Sequence, residues 1–483
     1  MRFAACVVVA FVFNGCVSGS DVVVSDVEMG EVENLGEMTV ADLLANGKYE
    51  AAEQLARVRI SGGRHPFPYA KAVVEKSGCA NLKGAFGDFP PCSDSDITMH
   101  RLNLCSVLLL MGKKNEAHLE MLKARDELEN MFDPESQALK LTHGEYEKYF
   151  KGDGYERATL YAFLALSFLE KGDFANALKC IQNGILADSD SENADFRGDY
   201  ALLPYIGYVA ASKAGENWHQ ETQKYDRLVK ELTGIAPSES AFPKSLLVVW
   251  TGRGSDRTLG GEFDEKRYVR KGSSRGLLDS VSVVADEKEC LSFSGLADLN
   301  FQATTRGRRV MDLVLDRKAS AKRGLAASSN ALLAFGAGCI EAGTVSGNIG
   351  FATVMFSVGG LFITLGCPTY FIGLAINATA DDRCWQSLPG RLIVVPLPVA
   401  YHPIEAKIRA FRRLDNVFEK NMVLDLSCAS GRGIPVNHIS LIADRDAIEQ
   451  NINRYINNRL EVVAARTKSD FFADKSELTE EGD

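Results

Sequence analysis

The chain has 483 residues, of which 46% are hydrophobic, and its formal net charge at pH 7 is −10. This length is enough for two or three domains with sizeable cores. The excess of 64 Asp and Glu over 54 Lys and Arg argues against general nucleic-acid binding, which needs a basic face.

Residues 1–15 have the pattern of an export signal. Arg2 is the first charged residue, and residues 3–13 form an uninterrupted apolar stretch. A stretch of about ten apolar residues after a basic residue is typical of a signal peptide and too short for a membrane-spanning helix. We therefore expect residues 1–15 to be removed on export.

The end of this signal resembles the lipobox of bacterial lipoproteins. Gly15 precedes Cys16, although Phe13 and Asn14 depart from the commonest lipobox residues. The resemblance implies cleavage before Cys16 and acylation of that cysteine, with palmitate-like chains holding the protein to the membrane. It also implies a location on the periplasmic side of the bacterial cell envelope. Because Val17 follows the cysteine instead of Asp, the outer membrane is favoured over the inner one. The alternative is a soluble secreted protein with an incidental cysteine.

Residues 16–40 contain acidic residues and no Lys or Arg. Such a segment repels itself and stays solvated, so the sequence predicts an acidic tether between the anchor and the folded body.

The cysteines give one candidate disulfide and no metal site. Of eleven cysteines, Cys79 and Cys92 lie at the ends of a Gly- and Pro-rich loop and form the favoured disulfide pair. Cys105 and Cys180 lie among apolar helical positions and are interpreted as packed thiols. No CxxC motif occurs, and the seven histidines are not paired at metal-ligand spacing. The sequence therefore predicts neither a metal nor a cofactor.

Residues 41–240 have helical patterning. The stretch "LYAFLALSFLEKGDFANALKCIQNGILADS" (160–189) resembles a tetratricopeptide (TPR) repeat, with its turn at Gly172. Weaker helix pairs surround Gly47, Gly112 and Gly215, at irregular spacing. We expect an irregular TPR-like α-helical solenoid, whose concave face suits a protein or peptide partner. An ordinary helical bundle is the alternative, because Ala and Leu at helical spacing most often mean core.

Residues 241–466 have the pattern of a mixed α/β domain, which makes the predicted fold class α+β. Strands are predicted by short β-branched runs at 246–250, 280–285, 391–399, 422–427 and 437–443. Helices are predicted at 297–323, 403–414 and 444–465. Residues 467–483 are predicted to be a disordered acidic tail.

Two features of this half bear on membranes. Residues 306–323 are basic, which is typical either of a solvated helix face or of a surface that meets anionic lipid. Within the apolar segment 325–378, residues 349–376 carry no charge and are long enough to span a bilayer. Glycines and Pro368 are expected to break them into shorter pieces, which favours a buried or leaflet-dipping, Gly-rich apolar helical hairpin over a true span.

The most specific motif is "ADDRCWQSLP" at 380–389. It resembles an Ala-Asp-x-Arg-x-Trp-x-x-Leu-Pro motif of a family of uncharacterised bacterial envelope lipoproteins with TPR-like first halves. "GYERATLYAFLALSFLEKGDFANA" is similar to a second signature of that family. The residues alone predict a structural corner in which Asp381 pairs with Arg383 and Trp385 fills a groove. A ligand-binding site around these three side chains is the alternative.

No catalytic motif was found: the sequence has no GxSxG, HExxH or complete phosphate-binding loop. The leading hypothesis is a membrane-anchored, non-enzymatic scaffold for protein–protein interaction. The first alternative is a cell-wall (peptidoglycan) synthesis enzyme or an activator of one, because some members of the resembled family appear associated with such activators. The second is a membrane-complex subunit in which residues 349–376 span the bilayer.

Overall fold

The computed structural model describes residues 39–60, 96–130, 148–191, 194–272, 276–285, 288–306, 310–345, 349–398, 403–412, 415–425, 432–442 and 444. Cys16, Cys79, Cys92 and the tail 467–483 lie outside these residues, as does the helix predicted at 444–465 apart from Asp444. The chain is mixed α+β, with 59% helix and 20% strand, which confirms the predicted fold class at this level.

The described part of the first half consists of four helix pairs. The helices are α1 (Val40–Ala45), α2 (Tyr49–Ile60), α3 (Ile97–Leu110), α4 (Lys114–Asn130), α5 (Gly154–Lys171), α6 (Phe174–Asp188), α7 (Leu202–Ala214) and α8 (His219–Thr233). The turns within the pairs contain Gly47, Gly112, Gly172 and Gly215, all at positive φ. The sequence located these turns because left-handed backbone at a helix end strongly favours glycine.

The helices pack in chain order. Each helix from α1 to α8 contacts the next one along the chain, and α5 also contacts α7. Small residues lie where the helices approach: a Cβ at Gly184 would come within 2.6 Å of Leu203 on α7. Cys105 and Cys180 are buried free thiols, as predicted.

Ten strands lie in the described part of the second half. They are β1 (Ser245–Arg253), β2 (Asp256–Gly260), β3 (Lys266–Arg270), β4 (Ser280–Ala285), β5 (Lys288–Leu291), β6 (Phe293–Asp298), β7 (Pro389–Leu397), β8 (Pro403–Arg412), β9 (Asp415–Asp425) and β10 (Val436–Ser440). The central sheet has the order β10-β1-β7-β6, the outer sheet has the order β5-β4-β8-β9, and β2 pairs with β3. Only β1 and β10 are parallel among these pairs.

The body has three layers, with the central sheet in the middle. Alternate residues of β1 point to opposite faces. Leu246, Val248 and Trp250 join one core with the helices, whereas Leu247 and Val249 join a second core with the outer sheet. Since both faces of β1 are covered, its sequence "LLVVW" is an unbroken apolar run.

The first of these cores extends across the predicted domain boundary. It contains residues from Val40 in α1 to Ile442 after β10, including Trp250 and Trp385. The two sequence segments 41–240 and 241–466 therefore share one hydrophobic core.

Three further helices follow β6: α9 (Leu299–Thr305), α10 (Val310–Val345) and α11 (Ile349–Ala375). The prediction that glycines and Pro368 break residues 349–376 was wrong, because α11 is continuous over 27 residues with Pro368 inside it. The glycines serve close packing instead: a Cβ at Gly359 would lie 2.7 Å from the carbonyl oxygen of Gly336 in α10. Gly343 likewise lies beside Met355, so the two helices run antiparallel.

The helix predicted at 403–414 was also wrong, since Pro403–Arg412 is strand β8. Ile404 and Ile408 are spaced by four residues, which fits a helix. Yet Ala406, Ile408 and Ala410 are buried while Lys407 and Arg409 are more exposed, which is the alternation of a strand. Pairing with β4 and β9 on either side selects the strand.

Candidate functional site

The motif at 380–389 lies between α11 and β7, against the helices of the first half. Arg383 Nε donates a hydrogen bond to Asp381 Oδ1 at 2.8 Å, and Nη2 donates to Asp381 Oδ2 at 3.0 Å. Arg383 Nη1 donates to Asp96 at the start of α3, and Nη2 also donates to the Lys148 carbonyl oxygen at 2.7 Å. One guanidinium group therefore connects three separate segments of the chain.

Trp385 fills a space between α3 and α5 and is 2% exposed. Its ring meets Phe163 of α5 edge to face, with centroids 6.0 Å apart. Its indole N–H donates to the hydroxyl oxygen of Ser106 at 2.9 Å, and its backbone N–H donates to Glu156 Oε1 at 2.7 Å. A buried indole with its N–H satisfied is stable in this position.

The two motifs that carried the family resemblance contact each other here. Glu156, from "GYER", accepts from Trp385 in "DDRCW" and, through Oε2, from the backbone N–H of Asp153 at 2.7 Å. The second contact is part of a capping box that begins α5. Burial and the nearby Asp153 carboxylate raise the pKa of Glu156. We call this set of contacts around Arg383, Trp385 and Glu156 the motif junction.

Two arginines extend the motif junction to β2 and β3. Arg267 Nη1 donates to both Asp153 oxygens, at 2.7 and 2.9 Å. Arg257 is fully buried; it donates to Asp153 and to the Tyr155 hydroxyl at 3.1 Å. The start of α5 is thus tied to both the motif and the β2–β3 hairpin.

The contacts of the motif junction are structural: they hold separate segments of the chain together. All three nitrogen groups of Arg383 bond to protein acceptors, and Asp381 and Asp96 outweigh burial to hold the pKa of Arg383 above its ordinary value. Trp385 and Glu156 are likewise directed at partners within the chain. Such satisfied buried groups fix the packing of one element on another.

The apolar helix pair is the second candidate site. We use this name for Val314–Val345 of α10 and Ala352–Ala375 of α11, which are each long and apolar enough to cross a membrane. Of the most apolar stretch in each helix, 11% and 17% of the residues are buried. Large apolar side chains are instead exposed: Phe335, Val345, Ile349, Val354, Phe356, Leu361, Leu365, Phe371, Ile372 and Leu374. Of the two predicted arrangements, buried or leaflet-dipping, the buried one is therefore wrong.

A short loop after β2 braces the base of the apolar helix pair. Arg323 Nη1 donates to Glu265 Oε1 at 3.3 Å, and Lys322 Nζ lies 4.6 Å from the centre of the Phe263 ring. Lys318, which is 6% exposed, donates to the Asn377 carbonyl oxygen at 3.4 Å. The backbone N–H of Ala380 donates to the Asp264 carbonyl oxygen at 2.9 Å. These contacts join the helix pair to the body close to the motif.

The basic segment 306–323 is partly used inside the protein. Arg306 is 8% exposed and pairs with Asp188 and Asp199, while Lys318 and Arg323 take part in the brace. Among its described basic residues, Arg306 and Lys318 are therefore buried, whereas Arg317 and Arg323 are exposed. Residues 307–309 lie outside the described chain.

Comparisons of the chain with protein-family models, with curated proteins and with solved structures find no match. Within the residues that the structure describes, no group of three or more His, Cys, Asp or Glu side chains is placed to hold a metal ion.

The sequence located the motif but not all its partners. Asp381, Arg383 and Trp385 do come together. Glu156 was noted only within the second signature, and the D-x-x-E spacing from Asp153 is a capping-box signal that could have marked the start of α5. Nothing in the local pattern around Arg257 and Arg267 indicates their role, because their partners lie about a hundred residues away.

Proposed function

We propose that the protein is a membrane-anchored, non-catalytic scaffold of the bacterial envelope, attached by acyl chains at Cys16 and by the apolar helix pair. The observation that carries the proposal is the exposed apolar surface of this pair. Soluble proteins rarely expose contiguous apolar patches larger than a few hundred Å². Moving one fully exposed large apolar side chain out of water contributes roughly 1.5–3 kcal/mol, so these partly exposed side chains together favour a bilayer by on the order of 10 kcal/mol.

Both attachments are compatible with one position of the body. Because α10 and α11 are antiparallel, the chain enters and leaves the pair at the same end, beside the body. The body then lies on one face of the membrane, and lipidated Cys16 would insert from that same face. The lipobox resemblance makes this the periplasmic face.

The finer part of the fold prediction, a TPR-like solenoid, is supported by the sequential packing of α1 to α8. Its inner face would normally receive a partner. Here α3 and α5 pack against Trp250, Trp385 and the central sheet, so the chain occupies its own groove. We therefore place the partner on the outside of the array.

An open groove between α4, α5 and α6 fits a peptide segment. It has a volume of about 450 Å³ and is lined by Leu128, Leu160 and Leu186 together with charged residues. Leu186 is 73% exposed. A protein partner that inserts an apolar side chain beside Leu186 would bury this surface.

The cell-wall enzyme alternative draws no support from the motif junction, where Asp381, Arg383 and Trp385 face intramolecular partners. The same contacts favour a structural role for the motif. The family resemblance itself remains part of the proposal, supported by the contact between its two signatures.

Carbonate extraction of membranes from expressing cells tests the anchoring. One variant replaces residues 1–38 with an export signal that lacks a lipidation cysteine. A second replaces residues 325–373 with a short Gly-Ser linker, and a third combines both changes. We expect each single variant to stay with the membrane and the combined variant to become soluble. Release of the wild type, or release on loss of residues 1–38 alone, would contradict anchoring by the helix pair.

Pull-down from envelope extract tests the scaffold role. Leu186→Glu should lose the partner that the wild type retains. A charged side chain in the lining of the groove opposes the insertion of an apolar side chain of the partner. Leu119→Glu, at another exposed apolar position on the array, is the matched control and should keep the partner. Equal recovery with both variants would rule out the groove.

A further inference from the structure

The apolar helix pair has a charge-free band of defined length. In α10 no charged residue lies between Arg323 and Glu341, and α11 has none at all. At about 1.5 Å per residue, the 18 steps from Arg323 to Glu341 cover roughly 27 Å. That distance is close to the roughly 30 Å hydrocarbon thickness of a bilayer.

The two ends of this band differ in their surroundings. Arg323 is held at the body by Glu265, with Lys322 beside Phe263. Glu341 and Thr344 are exposed near the other end of α10, where no body element packs on the described helices. A charge at each end, with none between, is the distribution expected of a segment that crosses a membrane.

Three hydroxyl groups of α11 are satisfied by the helix itself. Thr353 donates to the Ile349 carbonyl oxygen at 2.9 Å, Ser357 to that of Thr353 at 2.9 Å, and Thr364 to that of Gly360 at 2.7 Å. In hydrocarbon every polar group needs such an internal partner, whereas in water it does not. This observation is independent of the length of the band.

The surface of the pair is also apolar on several sides. On α11, Leu361, Leu365, Phe371 and Leu374 are each more than half exposed, and at about 100° per residue they cover an arc of roughly 180° around the helix. A helix that lies flat at the surface has one apolar and one charged face. Here no charged face exists on α11.

We propose that the apolar helix pair crosses the bilayer completely, twice, and places Thr344 on the face opposite to the body. This proposal rests on the proposed membrane anchoring and specifies its geometry. Arg323 lies in the headgroup region on the side of the body, and Glu341 lies in the headgroup region on the other side. A pair that dips into one leaflet would leave the Glu341 carboxylate in hydrocarbon, where an unpaired charge is unfavourable.

Labelling of single added cysteines with a membrane-impermeant maleimide tests the crossing. Thr344→Cys and Val345→Cys report the far end, and Glu262→Cys, in the brace, reports the body. Each is placed in the full chain with exposed Cys367→Ser, and that parent without an added cysteine gives the background. Sealed membranes of both orientations are labelled before and after detergent.

We expect the far-end cysteines and the body cysteine to be labelled in opposite membrane orientations. Labelling of all three in the same orientation would overturn the crossing while leaving membrane anchoring intact. Recovery of the parent protein in the carbonate-soluble fraction would overturn the anchoring as well. Labelling of Glu262→Cys from the cytoplasmic side would contradict the periplasmic position of the body in the proposed function.

Discussion

Arg383 is the residue on which most separate segments converge. Its side chain is 10% exposed and bonds to Asp381, Asp96 and the Lys148 carbonyl oxygen. We expect Arg383→Ala to lower the free energy of unfolding by about 3 kcal/mol, because removing one partner of a buried ion pair leaves buried charge uncompensated. Urea denaturation of the detergent-solubilised protein measures the loss.

Arg270→Ala is the control for this change. Arg270 also pairs with an aspartate, Asp256, but its side chain is 68% exposed. Exposed ion pairs contribute roughly 0–1 kcal/mol, so this variant should unfold close to the wild type. If the two variants lost equal free energy of unfolding, the motif junction would not stabilise the fold more than an exposed ion pair does.

His438 makes the body sensitive to acid. Burial, with a smaller contribution from Lys114, lowers the pKa of His438 from 6.5 to about 3. Its neutral ring accepts a hydrogen bond from the Trp250 indole N–H at 3.2 Å. Since the unfolded chain takes up this proton first, stability from His438 is complete above pH 6.5. It is lost as the pH falls to about 3, by on the order of 5 kcal/mol.

Thermal unfolding between pH 7 and pH 3.5 measures this effect. His438→Gln keeps an acceptor for Trp250 but cannot take up a proton, so its Tm should fall less with acidification than the Tm of the wild type. His219→Gln, at an exposed position, should follow the wild type. A His438→Gln profile parallel to the wild type would contradict the assignment.

At the scale of single residues, the sequence identified side chains but not their distant partners. The pairing of Asp381 with Arg383 was predictable because they are two residues apart. The contacts of Arg383 with Asp96 and of Trp385 with Glu156 were not, since they join positions more than two hundred residues apart. Periodicity and turn signals describe local structure and carry no information on such pairs.

Substitutions at two adjacent glycines in α11 distinguish an effect on the packing of α10 against α11 from an effect on helix formation. A Cβ at Gly359 would lie 2.7 Å from both the Gly336 carbonyl oxygen and Ile340, whereas a Cβ at Gly360 has no atom within 4 Å. Gly359→Leu should therefore force α10 and α11 apart and lower the free energy of unfolding by the roughly 1–3 kcal/mol typical of overpacking, which a lower Tm in detergent would report. Gly360→Leu changes the same helix by the same volume and should have little effect.

The contact between the helices can be followed directly in these variants. A disulfide between introduced cysteines at Gly343 and Met355, whose Cβ atoms would lie 3.2 Å apart across the pair, should form readily in the Gly360→Leu background. It should form poorly in the Gly359→Leu background. Similar cross-linking in both would mean that the close approach at Gly336 is not required for the pair.

At the scale of elements, the sequence predicted helices and strands most reliably where the apolar residues fitted a single periodicity. β1, β4 and β7 were found as unbroken apolar or β-branched runs, and the helix pairs were found through their glycine turns. β8 was mistaken for a helix because its apolar residues fit both periods. The glycines of α11 were interpreted as breaks because their packing partner, α10, lies in a different segment of the sequence.

The whole body is organised around the central sheet, which has helices on one face and the outer sheet on the other. Trp250 stacks on Phe163 of α5 with ring centroids 5.4 Å apart, and Trp385 donates to Ser106 of α3. An isolated first half would expose these apolar contact faces. The composition of the chain suggested separate domains, but the burial of tryptophans from one half among helices of the other requires them to fold together.

Cooperative unfolding of the body follows from this shared core. Two signals are compared during urea unfolding. The first is the intrinsic fluorescence of Trp250 and Trp385 in a Trp218→Phe variant, and the second is the helical circular dichroism at 222 nm of a variant in which a linker replaces residues 325–373. We expect both signals to change at the same urea concentration. Coincident transitions are the signature of one unit. The fluorescence variant also carries this linker, so that the apolar helix pair contributes to neither signal. If helical signal persisted after the tryptophans became exposed, the helix array would be stable alone, and its inner face would again be open to a partner.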